Sequence, residues 1–177
     1  MTPEIYWIHG PWRGRLAVMP RPRGADWLDG EIEALRLAGV DTVVSLLTDD
    51  EIAESDLDDE SELCRAKGVE YISLPIPDRA VPSSRKSVQD LVRQLDQYLA
   101  GGRSVALHCR SGIGRSTLIA ACLLVASGVE PQAAFKRISD ARGCAVPDTD
   151  EQRQWVSQFA QELAAAPSNR ATAQVLP

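Results

Sequence analysis

Histidine, basic charge and long apolar runs are all scarce in this chain of 177 residues. The two histidines, His9 and His108, and the four cysteines, Cys64, Cys109, Cys122 and Cys144, follow no zinc-ligand spacing, so neither metal nor cofactor is expected. Lys and Arg number 19 against 25 Asp and Glu, a formal net charge of −6. That balance argues against nucleic acid or an anionic membrane as partner, and any phosphate must be held by a local site instead of a basic face. No apolar run approaches the roughly 20 residues that cross a bilayer, and the longest, 118–126, suits a buried helix. Residues 1–10 hold Glu4 and His9 and lack a basic start and an apolar stretch, so no secretory signal is read; free thiols and a cytoplasmic location are expected. There is no internal repeat or linker. The length suits one domain, 1–166, expected as a monomer, with a polar small-residue tail at 167–177.

Strand and helix patterns alternate. Short strands are expected at 4–8 and 16–19, followed by the breakers Pro20, Pro22 and Gly24. Asp26 is expected to cap a helix through Trp27, Leu28, Ile32, Leu35 and Leu37, ending at Gly39. The β-branched run 40–47 suits a strand buried on both faces. Residues 48–61 are strongly acidic and read as a solvated helical surface continuing to Ala66 and stopped by Gly68. A strand at 69–74, a proline-rich loop, a helix at 84–99, a strand at 103–108 and helices at 116–127, from Pro131 to Gly143, and at 149–165 complete the pattern. The fold class is α/β: one largely parallel sheet flanked by helices, with ligands expected at the carboxyl ends of its strands.

The strand ending at His108 runs into Cys109-Arg110-Ser111-Gly112-Ile113-Gly114-Arg115-Ser116. A phosphoester dianion needs converging backbone N–H groups, a helix N-terminus and a fork-shaped cation. Gly112 and Gly114 permit the loop dihedrals, the apolar helix supplies the positive dipole end, and Arg115 supplies the bidentate guanidinium. Residues 110–115 would line the phosphate. A cysteine in such surroundings favours the thiolate, which suits Cys109 as nucleophile, with Ser116 donating to its sulfur and His108 orienting the loop. The bland alternative for Cys109, a small buried cysteine in a turn, does not explain Arg115 and both glycines.

This nine-residue segment resembles the signature of the cysteine-based protein-tyrosine and dual-specificity phosphatases: His-Cys, five residues, then Arg and Ser or Thr. Every fixed position is filled, and the order of elements extends the resemblance over 16–159. The resemblance implies a phosphocysteine enzyme with an aspartate acid on a loop about thirty residues before the cysteine. Asp78, 31 residues upstream in Leu74-Pro75-Ile76-Pro77-Asp78, matches, and the loop looks like that of the compact branch containing kinase-associated phosphatase. Capping a turn is the other role open to Asp78, and Asp49 and Asp50 are rival carboxylates at a strand end. Arg79 is a solvated charge or a substrate contact. Gln152 matches the family's water-orienting glutamine, and equally reads as part of a helix cap led by Asp148 or Thr149. Cys144 is a candidate for a protective disulfide with Cys109.

The function so implied is hydrolysis of phosphotyrosine, and also phosphoserine or phosphothreonine, in protein substrates. Phosphoinositide or inositol-phosphate hydrolysis on the same loop is the nearest alternative. A non-catalytic phosphate-binding module would have lost Cys109, Arg115 or Asp78. A sulfurtransferase of rhodanese type fits poorly with Arg115-Ser116.

Overall fold

Four buried residues in a row, Thr42–Ser45, form strand β3, an interior strand of the sheet in a computed structural model that describes residues 3–166. The expected tail at 167–177 lies outside the described residues. The other strands are β1 (Tyr6–Ile8), β2 (Leu16–Pro20), β4 (Glu70–Ser73) and β5 (Val105–Cys109), in the order β1-β2-β5-β3-β4. Only β1 runs antiparallel, as an edge beside β2. Pro20 pairs with Cys109 and Ser45 with His108, so the ends of β2, β3 and β5 open on one edge.

Among the described residues seven α-helices cover the two faces: α1 (Leu28–Leu37), α2 (Asp49–Glu54), α3 (Glu60–Ala66), α4 (Arg85–Ala100), α5 (Arg115–Ala126), α6 (Pro131–Arg142) and α7 (Asp150–Ala165). Side chains alternate across a strand. Accordingly Leu107 and Cys109 join the core under α4, α5, α6 and α7, whereas Ala106 joins the smaller core under α1 and α3. Helix α5 is apolar all round because it is enclosed by β5, α4, α6 and α7. Leu118, Leu123 and Leu124 have no exposed surface, and fully burying such a side chain contributes about 2 kcal/mol. The helix that begins at Arg115 is therefore firmly anchored.

Local chemistry sets the ends. Ser84 Oγ accepts from Ser87 N at 3.1 Å to start α4. Pro131 opens α6, and Gly143, at φ 73°, closes it. Two expectations are corrected. Asp26 does not cap a helix: residues Ala25–Trp27 form a 3-10 turn and α1 follows at Leu28, with Trp27 and Leu37 mostly exposed. The acidic stretch is two helices, not one solvated surface. Asp56 adopts φ 53° between them, Leu57 is buried, and two acids of the run, Glu51 and Glu60, point into the protein.

Candidate active site

Cys109 ends β5 and Arg115 begins α5, so the loop between them is tied at both ends to the most buried elements of the fold. Cys109 Sγ lies 3.4 Å from Ser116 Oγ, and both residues are buried. The loop's shape depends on its glycines. Gly112 has φ 70°, and a Cβ there would stand 2.6 Å from the backbone of Met19 on β2. A Cβ on Gly114 would run into the carboxylate of Asp148. The loop is also held from outside: Arg142 of α6 donates through Nη2 to Ser111 O at 2.8 Å and through Nε to Gly112 O at 3.1 Å, while its guanidinium stacks on Tyr6. Thr117 Oγ1 donates to Gly114 O at 3.0 Å. Gly114 is the N-cap of α5, and no side chain caps that end.

Arg115 is buried, and its fork is fully engaged. Nη1 donates to Glu51 Oε2 at 2.7 Å and to Ile76 O at 2.8 Å; Nη2 donates to Glu51 Oε1 at 2.9 Å and to Asp78 Oδ1 at 3.0 Å. Burial alone would push the Glu51 carboxyl up, but the donations from Arg115, the Thr48 amide and Arg110 outweigh it and bring the pKa to about 2. Burial likewise opposes the charge on Arg115, and Glu51, Cys109 and Asp78 more than reverse it. Arg110 Nη2 reaches Glu51 Oε1 at 3.2 Å and Glu54 Oε2 at 3.8 Å. A buried thiol, a pinned guanidinium and a half-exposed carboxylate thus meet at the carboxyl edge of the sheet.

A family model described as a polymorphic toxin system DSP-PTPase phosphatase matches residues 17–129, which includes the whole loop. The chain belongs to the cysteine-based dual-specificity phosphatases. It is 30% identical over 142 residues to cyclin-dependent kinase inhibitor 3 of Rattus norvegicus, covering 79% of this chain and 66% of that relative. This chain therefore matches just under two thirds of the curated relative's length. Among solved structures it resembles kinase associated phosphatase carrying a serine at its catalytic cysteine, with TM-score 0.85 and 23% identity over 94% of this chain and 99% of that one. It also resembles Tk-PTP in its active form, with TM-score 0.73 and 27% identity over 91% and 99% of the two chains.

Within this phosphatase fold the residues singled out from sequence fall in three groups. Cys109, Arg115, Ser116 and Asp78 come together, along with the loop residues 110–114. Gln152 stands beside them and also serves as a cap: its backbone N donates to Thr149 Oγ1 at 3.1 Å, its Oε1 accepts from Thr149 N at 3.2 Å, and its Nε2 donates to Ala80 O at 3.1 Å. It thereby ties the start of α7 to the Asp78 loop. His108 is buried on the opposite face of β5, next to Glu60. Asp49 and Asp50 are exposed on the first turn of α2 and make no contact with Arg115; the carboxylate of that helix which does is Glu51. Cys144 is a free thiol, partly exposed and near Tyr6, and Cys64 and Cys122 are free and buried. Glu51 and Arg142 were not foreseen. The Thr48-to-Glu51 capping-box spacing was the available signal for Glu51.

Proposed function

We propose that this phosphatase hydrolyses phosphotyrosine, and also phosphoserine and phosphothreonine, in protein substrates through a phosphocysteine intermediate. The observation that carries this is the 3.0 Å contact of Arg115 Nη2 with Asp78 Oδ1, which supports an acid at the mouth of the pocket whose floor is Cys109. The loop amides and Arg115 bind the dianion, and its oxygens take the place of the Asp78 carboxylate on Nη2. Cys109 Sγ attacks phosphorus as the bond to the leaving oxygen breaks, and Asp78 gives that oxygen its proton. Water then attacks the phosphocysteine, Asp78 takes the water's proton, and the thiolate departs accepting a hydrogen bond from Ser116. Gln152, with Nε2 close to Gly114, is suited to orienting that water.

Arg110 is the one cation among the variable loop positions, and it is occupied by Glu51 and Glu54. Little positive charge is left for a multiply phosphorylated inositol headgroup, which favours a phosphoprotein. No described helix is long and apolar enough to cross a membrane. Four free cysteines agree with a cytoplasmic location.

The test is turnover of p-nitrophenyl phosphate in chelator by the wild type and by Cys109→Ser, Arg115→Ala and Asp78→Ala. Metal-independent hydrolysis abolished by Cys109→Ser and strongly slowed on the acid side by Asp78→Ala is expected. A folded wild type without turnover would sink the scheme. Phosphotyrosine peptides compared with inositol phosphates then decide the substrate class.

A further inference from the structure

Arg79 follows Asp78 directly, and its backbone lies in the left-handed region at φ 59°. It is the third residue of a turn closed by Ala80 N donating to Pro77 O at 3.0 Å. At positive φ that position suits glycine or asparagine, and an arginine there is strained. The turn is tied down on both flanks. Ile76 O and the Asp78 carboxylate accept from Arg115, and Ala80 O accepts from Gln152 Nε2. Arg79 is therefore carried on a fixed piece of backbone beside the acid of the catalytic scheme.

The fold does not explain the arginine. Ala25 and Asp56, the other non-glycine residues at positive φ among the described residues, are joined to each other: Ala25 N donates to Asp56 O at 3.0 Å. The side chain of Arg79 is exposed and has no hydrogen bond, ion pair or ring contact with any described residue. The arginines on and against the phosphate loop are all engaged. Arg110 meets Glu51 and Glu54, Arg115 meets Glu51 and Asp78, and Arg142 holds the carbonyls of Ser111 and Gly112. Arg79 is left as a cation beside the acid with its donors unspent.

We propose that Arg79 is a specificity-determining residue: it pairs with an acidic side chain flanking the phosphorylated residue of a peptide substrate. This rests on the phosphoprotein reading of the site. One guanidinium fork matches one carboxylate, not the several phosphates of a polyphosphorylated ring. The pair forms in solvent, so its attraction is modest and falls with salt. General electrostatics work the other way, because a chain of net charge −6 repels an acidic peptide. A preference for the acidic peptide therefore reports a local cation.

The test uses two phosphotyrosine peptides, identical except for Glu or Gln on both sides of the phosphorylated residue. Binding is measured on the full-chain Cys109→Ser protein, so phosphoryl transfer is not required. At low salt the Glu peptide should bind roughly three- to fivefold tighter. That ratio should shrink toward one at ~0.5 M salt, where exposed charges are screened. Adding Arg79→Gly should abolish the preference, and adding Arg79→Lys should keep most of it. Arg79→Gly suits the turn, so it should leave Tm unchanged or raise it by up to about 4 °C. A fall in Tm of that size would assign Arg79 to the fold and overturn the proposal. Binding of neither peptide, equal binding of both, or a Glu preference that survives Arg79→Gly overturns it too. Turnover of both peptides by the wild type at equal kcat/KM would leave the hydrolytic reading intact and remove only this role of Arg79. A folded wild type without turnover, with the Glu preference intact in Cys109→Ser, would count against the hydrolytic scheme and leave this inference standing.

Discussion

A guanidinium buried as deeply as that of Arg115 needs its charge balanced, and Glu51 balances it with two oxygens while Asp78 takes a further bond from Nη2. The depressed pKa of Glu51 has a direction in pH. A carboxyl lowered from 4.5 to about 2 on folding adds stability that is fully present above pH 4.5 and lost as the pH falls toward 2. The shift corresponds to about 3 kcal/mol. Urea unfolding should therefore find Glu51→Gln less stable than wild type by roughly that amount at pH 7, with the gap closing toward pH ~2. Its kcat/KM should fall about a hundredfold, because Arg115 is no longer held in line. Equal stability of the two proteins at pH 7 would show that the pair does not act as described. Only the capping-box spacing from Thr48 set Glu51 apart from its acidic neighbours, and that spacing says nothing of an arginine partner. Its role comes from Arg115, which is 64 residues away in sequence.

Helix α2 has six residues, too few to be stable by itself, yet it carries Glu51. Its capping box compensates: Thr48 Oγ1 accepts from Glu51 N at 3.4 Å, and Glu51 Oε2 accepts from Thr48 N at 3.1 Å. The carboxylate that caps the helix is thus the one that grips Arg115. Thr48→Ala should cost about 1 kcal/mol and lower kcat/KM as well. Ser84→Ala removes a similar cap from α4, one that serves Ser87 and not Arg115, and should cost about as much stability with kcat/KM unchanged. Paired unfolding and kinetic measurements check this, and equal activity of the two variants would break the link between cap and catalysis. Elements with a clean pattern were readable from sequence: α4 from Val88, Leu91, Val92, Leu95 and Leu99, and β3 from its near-continuous, β-branched run. The acidic stretch was not, because the break near Asp56 is set by the burial of Leu57 and by Glu51 and Glu60 facing inward, which no charge pattern encodes.

Across the whole molecule, the site is a meeting of distant segments. The end of β2 sets the shape at Gly112, the segment after β3 supplies Glu51, the segment after β4 supplies Ile76 and Asp78, and β5 with α5 supplies the loop. Arg142 of α6 and Gln152 of α7 fasten two of those segments from outside. The Cys109 loop and the parallel architecture were visible in sequence because they are local or periodic; Arg142 was not, since its partners are backbone carbonyls 30 and 31 residues earlier. Such an assembly couples ligand binding to global stability. Inorganic phosphate, or vanadate as its analogue, at about a hundred times Kd should stabilise the wild type by about 2.7 kcal/mol. For a chain of this size that raises Tm by roughly 5–10 °C. Arg115→Ala should lose nearly all of that rise, and Glu51→Gln most of it, since each removes part of the fork's support. A wild type whose Tm ignores the anion would contradict a phosphate cradle at this edge, and an undiminished rise in Arg115→Ala would place the anion elsewhere on the protein.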